Sequence, residues 1–404
     1  MTIHRGTLYW PTTTHKDLSI IENPIEPFYD VIIIGGGIAG FLAAHTCLEA
    51  GLKVALIEKN DIAMGSTAAN TGILHYSNDI MLHELIEQIG EKDAVRFYRM
   101  CYEAVQNIET IAHTLPDHAD FRRRQSICFA SKTRDASKLL CEFKTLHRHG
   151  FPCEYWNEVI IKERLGFEKD GALVTFNDAE FNPVKFVQSL AEQCQQKGLH
   201  IYTNIMVNVL EDTNEGTILH TINGQFTTRN LIFATGYQNL PYGQLKGTNL
   251  KRSYSIVTNS IENFKPWFEQ SLIWETKRPY LYMRTTPDNR IIIGGLDEDK
   301  AKIPKSEEKL EKQSNKLLEL LQELFPQYDV KIDYSYCATF GDSLDYLPFI
   351  GEHPNHSHYY YLLGYGGNGT VYSMLGVNII KDLLKGIPND DARIVTLARK
   401  NGIK

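Results

Sequence analysis

The chain has 404 residues, 43% hydrophobic and 23% charged, which is an ordinary globular composition with length for about two domains. Its formal net charge of −7 argues against a nucleic-acid partner, because neutralising phosphates needs a basic surface. The seven cysteines are scattered without a CxxC spacing; they suit neither a zinc site nor a disulfide framework, and point to free thiols in a reducing, cytoplasmic setting with no metal.

Residues 1–28 carry Pro11, Pro24 and Pro27 and no apolar stretch, so they read as an extended arm on the surface and not as a secretory signal. No later apolar run is long enough to span a bilayer. Residues 31–34 are continuously apolar and β-branched, the pattern of a strand buried on both faces. A glycine cluster follows, then helical periodicity over 38–49 and a second strand over 54–57. Residues 65–80 are small and polar, and 81–114 read as amphipathic helices. Strands are expected at 126–131, 172–176 and 231–234, and a helix over 184–198 with Gly198 at its end. A hairpin is expected from 280–284 and 290–294, a charged helix over 306–324, and finally a strand over 359–363, a glycine loop and a helix over 371–385.

Gly35, Gly37 and Gly40 form G-x-G-x-x-G between the first strand and its helix. Gly35 permits the tight turn, Gly37 lets backbone approach a pyrophosphate at the helix N-terminus, and Gly40 lets helix and strand pack closely. Glu58, ending the second strand, is placed to accept hydrogen bonds from a ribose and disfavours a 2′-phosphate. The motif suits NAD and FAD equally.

The wider sequence is similar to the D-amino-acid oxidase superfamily of FAD-dependent oxidoreductases, in its glycine/sarcosine oxidase and γ-glutamylputrescine oxidase-like branch. Tyr29 to Gly40 (YDVIIIGGGIAG) resembles the family's opening, and Gly65 to Gly72 (GSTAANTG) its second flavin-contacting loop. Asp178 to Pro183 (DAEFNP), Phe233 to Gly236 (FATG), Arg290 to Gly295 (RIIIGG), Asp345 to Gly351 (DYLPFIG) and Gly364 to Thr370 (GYGGNGT) match later motifs in order. Tyr9 and Trp10 in the arm resemble the γ-glutamylputrescine oxidase branch.

The resemblance implies an α/β fold: a Rossmann-like, parallel, doubly wound FAD-binding domain over 29–85, 177–240 and 330–404, interleaved with an α+β substrate domain over 86–176 and 241–329 that carries a largely antiparallel sheet. It implies FAD contacts from Gly35, Gly37, Ile38, Ala39, Gly40, Glu58 and Lys59, and from Ser66, Thr67, Ala69, Asn70 and Gly72. Val207 through its backbone, Thr235, Gly236, Gly366, Gly367, Asn368, Gly369 and Thr370 complete the set. The amides of the 364–369 loop are expected to face the flavin, where a helix N-terminus favours negative charge on the reduced ring.

Three departures narrow the activity. Phe340 stands where glycine oxidase holds the substrate carboxylate with an arginine, so an amine, a larger amino-acid derivative, or carboxylate capture by another arginine such as Arg284 is expected. Ile292 stands where sarcosine oxidases have an oxygen-assisting lysine, leaving the electron acceptor as O2 or a quinone or other carrier. Ala69 replaces the flavin-linking histidine, and Cys337 is one residue out of register with the flavin-linking cysteine, so FAD is expected to be non-covalent. His75 resembles a substrate-facing histidine of hydroxyacid- and glycerol-phosphate-oxidising members; Tyr76, Tyr254 and Tyr365 are further pocket candidates. The reading is therefore oxidation of a C–N bond in a small-molecule amine or amino-acid derivative. The alternatives are oxidation of a hydroxyacid or glycerol-phosphate-like C–O bond, and a non-catalytic flavin-binding subunit of a larger dehydrogenase.

Overall fold

The computed structural model describes residues 3–14, 20, 23–237, 247–304 and 306–399, organised around two sheets. The apolar run Tyr29–Ile34 is the central strand of the first. Val54–Ile57 and His200–Tyr202 continue the sheet in parallel on one side, and Gly224–Phe233 and His356–Leu363 on the other. Because strand side chains alternate, the faces separate cleanly. Val31, Ile33, Val54 and Leu56 pack beneath the helices Ile38–Glu49, Pro183–Gln196 and Gly369–Leu384. Ile32, Ala55, Ile57 and Phe233 pack on the other face against Leu219 and Phe226.

Those two residues belong to an antiparallel meander of Val207–Thr213, Gly216–Thr221 and the first half of Gly224–Phe233. The doubly wound layering, with helices on both faces, is thus realised on one face only. The long strand Gly224–Phe233 serves both parts: its early residues pair with Gly216–Thr221 and its later ones run beside Tyr29–Ile34.

The second sheet is largely antiparallel. Arg122–Phe129, Ala172–Glu180, Thr248–Thr258, Tyr282–Thr285, Ile291–Glu298 and Ile332–Ser343 are among its strands, and Leu272–Glu275 runs parallel to Arg122–Phe129. The helix Glu307–Leu324 covers one face, with Leu310, Leu317 and Leu321 packed against Tyr254, Ile293 and Cys337. Ile332–Ser343, which a boundary at 330 assigns to the dinucleotide unit, is hydrogen-bonded along Thr248–Thr258 in this second sheet.

Residues 3–14 of the N-terminal arm are not a surface appendage. His4–Gly6 adds an antiparallel edge strand beside Tyr336, Cys337 and Ala338. Trp10 is fully buried and its Nε1 donates to the Asn70 carbonyl at 2.5 Å; the Tyr9 hydroxyl donates to Asp288 at 2.6 Å. Burying two large aromatic rings outweighs the tendency of a proline-containing terminus to stay solvated. Among the described residues, no helix is long and apolar enough to cross a membrane.

Candidate active site

A cavity of about 1220 Å³ runs between the two sheets. This exceeds what one drug-sized ligand fills.

One end is built by the G-x-G-x-x-G unit. Gly35 has φ +119°, and a Cβ there would strike the Ala234 carbonyl. A Cβ on Gly40 would collide with the Gly35 carbonyl, so this glycine serves packing behind the wall. At Gly37 a Cβ would meet only the Thr67 hydroxyl, at 3.0 Å, and otherwise open cavity. The helix Ile38–Glu49 starts there without a side-chain cap on Gly37, and its Ile38 amide donates to Thr67 Oγ1 at 3.1 Å. Glu58 lines the same end.

A second helix N-terminus opens on the cavity from the other side. Gly369–Leu384 also begins without a side-chain cap, and Gly366, Gly367, Gly369 and Thr370 line the wall. Two helix starts facing one space favour an anionic or electron-rich ligand, although the loop amides expected to face the flavin are partly engaged within the protein: Gly366 donates to the Gly341 carbonyl at 2.8 Å and Gly367 to Asp79 at 3.0 Å. The buried Thr235 hydroxyl, also on the wall, has no partner within the protein. This donor set fits a dinucleotide whose pyrophosphate lies at Gly37 and whose far end reaches Gly366–Thr370.

The other end of the cavity is one face of the second sheet. Register brings Ser253 opposite Ala338, Ser255 opposite Tyr336, and Lys251 opposite Phe340. Ser253, Ser255, Tyr336, Ala338 and Phe340 therefore share the cavity face, joined by Tyr282 and Asp297. Tyr254 and Cys337 alternate to the opposite face, under the helix Glu307–Leu324. Trp274, Tyr280, Tyr365 and His75 complete the wall. The His75 ring meets Trp274 edge-on, with centroids 5.5 Å apart, and its Nδ1 is buried without a partner. Burial lowers the His75 pKa to about 4, so the ring is neutral at pH 7. Burial raises the Asp297 pKa to about 6, and its Oδ1 has no hydrogen-bond partner.

The cavity thus collects Gly35, Gly37, Ile38, Ala39, Glu58, Lys59, Ser66, Thr67, Ala69, Asn70, Val207, Thr235, Gly236, Gly366, Gly367, Gly369 and Thr370, together with His75, Phe340 and Tyr365. Six expected residues lie behind its wall. Arg284 is fully buried: its Nη1 donates to the carbonyls of Gly72 at 2.7 Å and Phe181 at 2.9 Å, and its Nε lies 3.4 Å from Glu180. It holds loops together and cannot clamp a substrate carboxylate. Tyr76 is buried beside Phe151, and its hydroxyl donates to the Pro152 carbonyl at 2.8 Å. Gly72 packs against the Phe181 carbonyl. Asn368 turns inward, donating to the His75 carbonyl at 2.7 Å, and so fixes the segment that carries His75. Gly40 and Tyr254 are the remaining two.

The FAD dependent oxidoreductase family model, DAO, matches residues 30–382. The chain belongs to this family. It is accordingly an FAD-dependent oxidoreductase, an enzyme of the class its sequence resembles. Among relatives, a probable oxidoreductase, OrdL, of Haemophilus influenzae is 23% identical over 386 residues, spanning 90% of this chain and 84% of its own. The crystal structure of glycine oxidase from Geobacillus kaustophilus superposes with a TM-score of 0.79 at 18% identity, covering 93% of this chain and all of that one. L-amino acid deaminase from Proteus vulgaris, lacking its specific insertion sequence, gives 0.78 at 17% identity, with 95% and 97% covered. These likenesses show that the fold is that of the DAO family.

Sequence reasoning missed Asp297, Ser253, Tyr280, Tyr282 and Trp274. One signal was at hand for Asp297: it lies two residues beyond the Gly294-Gly295 pair that marks the substrate-side strand.

Proposed function

We propose that this enzyme oxidises the C–N bond of an amine or amino-acid derivative that lacks an α-carboxylate next to the reacting carbon. FAD would lie non-covalently along Gly35–Gly37, Glu58, Thr67, Thr235 and Gly366–Thr370, and the substrate against the second sheet. The observation that carries the reading is the lining of the substrate end. Trp274, Tyr280, Tyr282, Tyr336 and Phe340 supply an aromatic wall, and among the described residues no arginine or lysine lines this end of the cavity; Arg278, whose guanidinium lies 4.6 Å from the Tyr280 ring centroid, is not part of that lining. A carboxylate buried there without a cation or donors costs several kcal/mol. The cavity's lysine, Lys59, adjoins Glu58 at the dinucleotide end.

Bound FAD supplies the two-electron acceptor for hydride from the substrate carbon. The chain's own residues orient and desolvate. The aromatic wall excludes water, and Asn368 fixes the His75 segment. C–O oxidation is the second reading, favoured by His75 on the cavity wall. It needs a base for the hydroxyl proton, and a histidine held to about 4 is a poor one at pH 7.

The test is anaerobic mixing of the FAD-loaded protein with separate panels of amines, amino acids and hydroxyacids, following loss of flavin absorbance. The expected result is bleaching by amines. Bleaching by hydroxyacids alone would overturn the C–N reading, and no bleaching by any panel would favour a non-catalytic subunit. Readmitting air afterwards distinguishes O2 from another carrier as acceptor.

A further inference from the structure

We propose that Asp297 is the counter-ion for the substrate's ammonium group, making this a site for alkyl- or arylalkyl-ammonium ions. The proposal deepens the amine reading above and rests on it. Asp297 sits near the end of Ile291–Glu298, on the cavity face of the second sheet. Its neighbours there are Ser253, Tyr282 and the aromatic wall. Its Oδ1 is buried and accepts no hydrogen bond. Asp297 is half-buried, but a carboxylate oxygen buried beside aromatic rings without a partner is costly unless a cation reaches it.

The protein does not supply that cation. Lys251, a positive charge acting on Asp297, pairs with Asp342 at 2.5 Å and lies 3.9 Å from Asp299. Arg278 lies 4.0 Å from Asp79 and donates to the Asp79 carbonyl at 2.9 Å. Asp342 and Asp79 themselves add to the negative field at Asp297. The substrate end is therefore an aromatic box with one acid facing in, whose carboxylate has Ser253 as a neighbour but whose Oδ1 has no hydrogen-bond partner. An ammonium ion meets both features: a charge-assisted hydrogen bond to Oδ1, and attraction to the faces of Trp274 or Tyr282, the Tyr280 ring already having Arg278 at 4.6 Å. The same field repels a carboxylate, which reinforces the exclusion attributed to Phe340.

The experiment uses the FAD-loaded protein and three probes of one shape: tert-butylammonium, tert-butanol and pivalate. The first has no α-hydrogen, so it binds without being oxidised. Binding is read as perturbation of the flavin absorption bands. Wild type should bind tert-butylammonium best and pivalate worst. Asp297→Asn should weaken tert-butylammonium by about tenfold or more and leave tert-butanol within about twofold, the signature of a lost charge pair. Glu323→Gln, at an exposed acid on the helix Glu307–Leu324 that covers the opposite face of the sheet, is the control and should change nothing.

Equal losses for the cation and the alcohol, no loss for the cation, or wild type preferring pivalate would each overturn the proposal. If Asp297→Asn does not fold, wild type alone decides: affinity for tert-butylammonium should fall as pH drops through about 6, while that for tert-butanol stays flat. Parallel profiles would overturn it. Protein that binds tert-butylammonium through Asp297, yet is bleached by no amine, would keep the counter-ion and lose only the oxidation reading.

Discussion

The Gly36 amide donates to Glu58 Oε2 at 2.7 Å, while the Asn60 amide donates to the other carboxylate oxygen at 2.9 Å. The acid that ends the second strand is thus held in place by the glycine turn and by its own chain. Its remaining lone pairs face the cavity, where a ribose would find a preorganised acceptor. Glu58→Ala should weaken FAD by about ten- to hundredfold, since hydrogen bonds to a charged group are worth about 1.5–3 kcal/mol. Titration of apoprotein by flavin fluorescence checks this. Flavin that remains bound should turn over at a near-normal rate.

Gly37 and Gly40 should fail differently. At Gly37 a side chain would enter open cavity beyond Thr67, whereas at Gly40 it would strike the Gly35 carbonyl. Gly37→Val should therefore fold, with a normal far-UV spectrum, and purify colourless. Gly40→Val should lose the fold along with the cofactor. A yellow Gly37→Val protein would contradict the pyrophosphate placement.

Arg284 should act on stability and not on substrate choice. Arg284→Met removes the donor to Gly72 and Phe181 and one partner of the buried Glu180, a loss of about 3–5 kcal/mol in thermal or denaturant unfolding. The ratio of kcat/KM between an amine and its α-carboxylated analogue should not move. Tyr76→Phe should cost only about 1 kcal/mol, the value of its bond to the Pro152 carbonyl.

These contrasts show what a linear sequence carries. The first strand, the glycines and Glu58 were legible because their meaning is local: a β-branched run, a turn that tolerates no Cβ, an acid at the next strand end. Elements at 38–49 and 54–57 match the observed Ile38–Glu49 and Val54–Ile57, and the charged helix at 306–324 matches Glu307–Leu324. The substrate face was not legible in the same way. Ser253, Asp297 and Phe340 meet only through pairing between strands far apart in sequence, and a shift of one residue would have turned each to the other face. Arg284 illustrates the same limit. It lies two residues from the cavity-lining Tyr282 on one strand, yet the loops at Gly72 and Phe181 close over it. The burial of Trp10 likewise depends on the distant Asn70.

Acid precipitation should release FAD into the supernatant. Ala69 on the cavity wall has no nucleophile, and Cys337 faces the helix Glu307–Leu324 on the opposite side of the sheet. Colour retained in a washed pellet would show a covalent link that this arrangement does not provide.

For amine substrates, kcat/KM should rise with pH through about 6. Asp297, raised by burial and by the fields of Asp342 and Asp79 and opposed by Lys251 and Ser253, is neutral below that pH and ionised above it. A cation is held only by the ionised form, so affinity is lost as pH falls. His75, lowered to about 4, should add no inflection between pH 5 and pH 9. In Asp297→Asn the rise near 6 should vanish.

The central claim is that the substrate end accepts an ammonium group and refuses an adjoining carboxylate. The most direct measurement is kcat/KM on matched pairs: n-butylamine with norvaline, benzylamine with phenylglycine, and phenethylamine with phenylalanine. The account predicts that wild type prefers the amine in each pair, and that Phe340→Arg, which places a guanidinium at the half-buried ring on the cavity wall, shifts the ratio toward the amino acid. A wild-type enzyme that strongly prefers the carboxylated member of every pair would contradict it.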